Sequence, residues 1–311
     1  MKKIDRCTND GPSQRESRRR FLTVAGSSLL LAGCAGPGGF LRGFTRDTGY
    51  VEVADGGRLY YETAGSGETV VLLHAFTLDT RMWDAQFDAL ASQYRVIAYD
   101  ARGFGRSSLP NEGQPYSHVE DLDRLLAHHK VERPHLVGAS LGGRFAIDYA
   151  VTHPDRPRSV TVIDGVLGGW EWSKEWLASY APVIAAAQRK DVAAAKAAWL
   201  AHPLFTNARG NEAVYRQLRR MVADYSGWHF IHHDPARNLE PPAGARLSQL
   251  RAPTLAMVGE YDMADFHRMA DQLVRDAAAQ KHIIAGAGHL SSMALPAVVN
   301  EQLLAFLQGA G

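Results

Sequence analysis

Cysteine is almost absent: the 311-residue chain holds two, Cys7 and Cys34, and none beyond residue 34. The body of the protein therefore has no disulfide to staple it and must fold on a hydrophobic core alone, for which its length is ample. An excess of charge of one sign is also missing. Of 34 basic and 33 acidic side chains, seven and three lie in the first 33 residues, which leaves the remainder near −3. No basic patch for nucleic acid is implied, and no strong field to steer a substrate. Long apolar runs are lacking too. The run at residues 21–32 falls short of the ~20 residues that a spanning helix needs, so it reads as part of a signal peptide and not as an anchor. No internal repeat is visible.

What is present is a regular alternation. Apolar segments at residues 69–74, 95–100, 135–139, 159–164, 254–259 and 281–285 are separated by stretches with helical spacing. Most are apolar throughout and do not alternate, which suits parallel strands covered by helices on both faces. Tyr50-Val51-Glu52-Val53 and Leu59-Tyr60-Tyr61-Glu62 flank Asp55-Gly56-Gly57, a hairpin signal. The pattern predicts an α/β fold with an open, mostly parallel, doubly wound sheet flanked by helices. It breaks between about residues 167 and 250, where strands stop and helical stretches rich in Ala and Trp take over. Trp170, Trp172, Trp176, Trp199 and Trp228 fall there. That segment reads as a helical cap above the carboxyl ends of the strands, where sites in such sheets lie. Most of its tryptophans are expected to pack the cap's own small core, and the rest to wall an apolar pocket. The expected division is a leader at 1–33, a Gly/Pro-containing tether at 34–49, a core at 50–166 and 251–311, and the cap at 167–250.

Gly138-Ala139-Ser140-Leu141-Gly142 carries the chemistry. An apolar strand precedes it and a helical stretch follows, so the serine sits at a strand-to-helix elbow whose tightness excludes a Cβ two residues to either side. A serine hydroxyl is a poor nucleophile until a base takes its proton, and that base needs a carboxylate to set its tautomer. His289, in the loop after the last strand, is the expected base. Asp262, in the loop after the penultimate strand, is the expected acid, with Asp164 at the end of the preceding strand as the alternative and Glu260 as a weaker one. His74 is expected to hold a loop. His229, His232, His233 and Asp234 have spacing that could suit a metal, but no second-shell partner is evident. Neither a metal nor a cofactor is called for.

These segments together resemble the α/β-hydrolase fold superfamily. The matching stretches are Leu72-Leu73-His74-Ala75-Phe76, Tyr99-Asp100-Ala101-Arg102-Gly103-Phe104-Gly105-Arg106-Ser107-Ser108, the elbow, residues 259–262 and Gly288-His289. In style they are most similar to small esterases, enol-lactonases and carbon–carbon bond hydrolases. The resemblance implies a triad of Ser140, Asp262 and His289, with an oxyanion hole made by the backbone N–H groups of Leu141 and Phe76. Where the family pattern is His-Gly, this chain has His74-Ala75, which bears on the aim of the Phe76 amide. The implied activity is hydrolysis of a small apolar carboxylic ester or lactone. Cleavage of a carbon–carbon bond, or cofactor-free perhydrolysis, is the alternative on the same triad. A catalytically silent binding lipoprotein of the cell envelope is the alternative outside enzymes.

The leader has its own resemblances. Ser17-Arg18-Arg19-Arg20-Phe21-Leu22 is similar to the twin-arginine export motif, and Leu31-Ala32-Gly33-Cys34 resembles a bacterial lipoprotein box. They imply export, cleavage before Cys34, and a lipid on its sulfur that ties the protein to a membrane of the envelope. Cleavage after Ala35 and release of a soluble periplasmic protein is the other reading.

Overall fold

The computed structural model describes residues 44–310, so the expected leader, Cys34 and most of the expected tether lie outside the described residues. Eight strands form one sheet in the order β1-β2-β4-β3-β5-β6-β7-β8. Strands β1 (Asp47–Glu52) and β2 (Arg58–Ala64) form an antiparallel edge ribbon. Strand β2 is antiparallel to β4 (Arg95–Tyr99). From there β4, β3 (Thr69–Leu73), β5 (His135–Ala139), β6 (Ser159–Ile163), β7 (Thr254–Gly259) and β8 (Gln280–Ile284) pair in parallel. Every residue of β3, β5, β6 and β7 is buried, as continuous apolar runs require. The closing edge strand β8 is half-exposed.

One boundary differs from expectation. Strand β1 starts at Asp47, opposite Thr63, so residues 47–49 belong to the sheet and not to a tether. An edge strand with most of its residues exposed needs no apolar side chain to extend its pairing, and apolarity was the signal that set the expected start at Tyr50.

Helices α1 (Asp84–Ala91), α2 (His118–His128) and α3 (Leu141–Thr152) connect strands β3 to β6. Five helices without a strand fill the path from β6 to β7: α4 (Lys174–Gln188), α5 (Val192–Ala201), α6 (Thr206–Arg209), α7 (Glu212–Asp224) and α8 (Trp228–Ile231). The chain then returns through α9 (Ala264–Ala277), the short α10 (Ser291–Ala294) and α11 (Pro296–Gly309). Helix α1 packs against α11, and α2 against α3. The insert is tied to loops at the carboxyl ends of the strands. Trp199 Nε1 donates to Thr77 Oγ1 after β3 at 2.9 Å, and Asn207 Nδ2 donates to the Gly286 carbonyl after β8 at 3.2 Å. Among the described residues no helix is long and apolar enough to cross a membrane.

Candidate active site

Strand β5 and helix α3 meet at Ser140, the residue before the first helical position. Its backbone is left-handed, with φ 49° and ψ −113°, a costly conformation for a residue bearing a side chain. The local fold enforces it. A Cβ at Gly138 would run into the Gly142 carbonyl, and one at Gly142 into the Leu73 carbonyl, so both glycines are sterically obligatory. The Ser140 amide is fixed to the Ile163 carbonyl at 2.9 Å, while its own carbonyl accepts from Gly143, Arg144 and Val166. The hydroxyl is thereby held out at the top of the sheet.

His289 reaches that hydroxyl. Its Nε2 lies 3.0 Å from Ser140 Oγ, and its Nδ1 lies 2.9 Å from Asp262 Oδ2. A carboxylate accepts only, so the proton sits on Nδ1 and Nε2 presents the lone pair to the serine. The second Asp262 oxygen accepts from the Met263 amide at 2.7 Å, which fixes the carboxylate's orientation. Both side chains are essentially sealed from water, and the ring of Phe266 packs on the imidazole at 4.3 Å. Burial alone would depress the imidazole's affinity for a proton. The Asp262 charge and hydrogen bond, with Asp164 behind them, outweigh burial and hold it above the ordinary value.

Asp164 and Glu260 are engaged elsewhere. Asp164 accepts from the Gly259 amide at 2.8 Å with one oxygen, and from the Ser291 amide and hydroxyl at 2.9 and 2.7 Å with the other. It ties the loop carrying His289 to the end of β7, and burial, then the nearby Asp262 charge, pushes its carboxyl up to about 7. Glu260 accepts from the Gly286 amide at 2.8 Å and does not contact the imidazole. Of the candidate acids, only Asp262 meets His289.

The loop after β3 closes the other side. Leu141 is the first residue of α3, so its N–H has no intrahelical acceptor and is free to bind an oxyanion. Ala75 and Phe76 line the same cavity as Ser140. The glycine-to-alanine departure is absorbed without strain at residue 75, because the left-handed residue of this turn is Thr77, φ 64°. Thr77 is held by its hydrogen bond from Trp199. His74 braces the turn as expected: its Nδ1–H donates to the Ala75 carbonyl at 2.8 Å, and its Nε2 accepts from the Ala101 amide at 2.9 Å.

A cavity of about 350 Å³ opens over the hydroxyl. Four of the insert's five tryptophans line it, namely Trp170, Trp172, Trp176 and Trp199, which reverses the expectation that most would pack the insert's own core. Aliphatic side chains fill much of the insert's own interior instead: Val183 and Ala186 of α4, Ala195 of α5 and Leu218, Met221 and Val222 of α7 are buried, while the rings of Trp170, Trp172 and Trp176 stay partly buried at the cavity. Trp172 and Trp176 stack at 4.2 Å to make a flat wall. The residues whose spacing could suit a metal are engaged in other contacts: His229 stacks on Phe104 at 4.4 Å, shares a hydrogen bond with Tyr225 and lies 3.7 Å from Asp234, while His232 pairs with Glu112. Among the described residues no three such side chains gather. One wall residue was not singled out from sequence: Arg144, one turn beyond the serine on α3.

A model of the alpha/beta hydrolase fold family matches residues 68–294. Curated relatives include several described as "Putative carbamate hydrolase RutD". That of Azorhizobium caulinodans is 29% identical over 259 residues, covering 80% of this chain and 94% of the relative. That of Variovorax paradoxus is 30% identical over 266 residues, covering 80% and 96%. Among solved structures, a hydrolase from Pseudomonas aeruginosa PA01 superposes with a TM-score of 0.66 at 26% identity, covering 84% of this chain and 98% of that one.

Proposed function

Because the chain belongs to the alpha/beta hydrolase fold family, we propose that it is a serine hydrolase cleaving a carboxylic ester or lactone through an acyl-enzyme. The observation that carries this reading is the unbroken relay from Ser140 Oγ through His289 to Asp262, at 3.0 and 2.9 Å. Ser140 Oγ attacks the carbonyl carbon as His289 Nε2 takes its proton, and Asp262 stabilises the imidazolium that forms. The Leu141 and Phe76 amides hold the negative oxygen of the tetrahedral intermediate. Such donors act in a dry site without having to reorganise, and one is worth ~3 kcal/mol or more. Collapse breaks the bond to the alcohol oxygen, which receives the proton from His289. Water then attacks the acyl-serine, loses a proton to the same nitrogen, and the acid departs as Ser140 regains its hydrogen.

The cavity's aromatic wall favours an apolar substrate portion. A carbamate carbonyl, named for those curated relatives, would be attacked in the same way. Turnover of 4-nitrophenyl esters, carbamates and a ring-cleavage dienone acid, each compared with Ser140→Ala, tests the reading. The expected result is Ser140-dependent ester hydrolysis outpacing the other two; preference for the dienone acid would move the protein to carbon–carbon cleavage. We further propose, on the sequence alone, that Cys34 carries the lipid that anchors the protein to an envelope membrane. Incorporation of an alkyne fatty acid that Cys34→Ser abolishes would support it, and an unlabelled soluble protein would refute it.

A further inference from the structure

We propose that Arg144 is the subsite for a carboxylate on the substrate, so that the preferred ester or lactone is an apolar one bearing a free acid close to the reacting carbonyl. The proposal rests on the serine-hydrolase reading and specifies the substrate class of that same cavity. Apart from Ser140 and His289, the wall of the cavity is aromatic or aliphatic almost throughout, and Arg144 is its one permanently charged member among the described residues. Its amide donates to the Ser140 carbonyl at 3.3 Å, which places it on the first turn after the nucleophile. It also lines a second, smaller cavity of about 170 Å³, shared with Phe76 and Leu141 and bordered by Ser117, His118 and Asn238. Arg144 therefore borders both cavities, beside the oxyanion-hole residues.

The blander account is that Arg144 only neutralises Asp148. Its Nε donates to Asp148 Oδ2 at 3.3 Å, and Nη2 is held by Asn238 Oδ1. Two observations go beyond that. Nη1 has no hydrogen-bond partner among the described residues, and the side chain is 28% exposed although its partner is 11%. Asp148 and Asn238 engage Nε and Nη2 and leave Nη1 free for a ligand. A guanidinium with a free N–H pair at the edge of an apolar chamber matches the geometry of a carboxylate bound through two oxygens.

The test compares 4-nitrophenyl hydrogen glutarate, which carries a carboxylate, with 4-nitrophenyl methyl glutarate, in which it is masked. The full-length protein is expected to favour the acid at least ten-fold in kcat/KM, and Arg144→Met to lower that ratio at least ten-fold, with Arg144→Lys retaining part of it. Should Arg144→Met fold poorly with Asp148 unpaired, Arg144→Met/Asp148→Asn removes both charges and gives the same readout. Calorimetric titration of Ser140→Ala with 4-phenylbutyrate and its primary amide reads the subsite without turnover; the acid should bind at least ten-fold more tightly, and that margin should vanish when Arg144→Met is added. A ratio near one in the unmutated protein, or one untouched by Arg144→Met, overturns the proposal while leaving the serine hydrolase standing. Equal hydrolysis of both esters by Ser140→Ala and the unmutated protein would instead remove the reading beneath it.

Discussion

The carboxyl edge of the sheet and the helical insert meet at one cavity but hold their side chains by opposite means. Ser140, Asp262 and His289 project from turns where the backbone is over-determined: a left-handed serine between two glycines that admit no side chain, an aspartate whose second oxygen is pinned to the next amide, and a loop tied down by Asp164. The insert contributes large rings from segments seated on the core by side-chain hydrogen bonds at its rim, such as Trp199 on Thr77, Trp170 and Ser173 on Asp265, and Gln217 on the Arg81 carbonyl. One side sets positions to within a hydrogen bond; the other sets volume and polarity. It follows that substitutions on the sheet side should act on kcat, and substitutions on the insert should act on KM and selectivity.

The largest expected effect lies on the sheet side. Asp262→Asn preserves shape but lets the imidazole take the wrong tautomer, and kcat should fall about 10⁴-fold while binding of a product acid, followed by calorimetry, changes little. The same pair carries a pH signature. The acid limb of kcat/KM reports His289 in the free enzyme, and because its pKa is raised, the limb should lie above the ordinary imidazole value of about 6.5. Removing the Asp262 charge leaves burial as the main influence, so the residual activity of Asp262→Asn should keep its neutral base to lower pH. Asp164→Asn should move the limb the same way but less, since Asp164 acts on His289 by charge alone. If Asp164→Asn costs more activity than Asp262→Asn, the assignment of the acid is reversed. On the insert side, Trp176→Ala should raise KM for an aryl ester about ten-fold with kcat nearly intact. A collapse of kcat there would erase the contrast between the two sides.

Much of the sheet was readable because buried parallel strands leave continuous apolar runs, and the six segments read as parallel strands fall within a residue or two of their observed places. The edge was less so: Asp47, Thr48 and Gly49 pair in β1 without apolar character. The nucleophile and base were carried by their surroundings, glycines whose Cβ would clash and a chain order that fits. Choosing between Asp262 and Asp164 needed coordinates, because both follow strands of one sheet and only distance separates the imidazole's partner from the loop's brace. The tryptophans needed them too, since an aromatic at helical spacing packs a core or walls a cavity with the same periodicity. Arg144 went unnoticed for a related reason: an arginine on a helix ordinarily reads as part of a solvated face, and nothing in spacing marks the turn that aims it beside a cavity.

The most direct measurement is covalent labelling of the full-length protein by a fluorophosphonate, followed by peptide mass spectrometry across the pH range. The account predicts a single adduct on Ser140, formed along the same acid limb as ester turnover and lost in Ser140→Ala. An adduct on another residue, or label uptake that persists without the Ser140 hydroxyl, would contradict it.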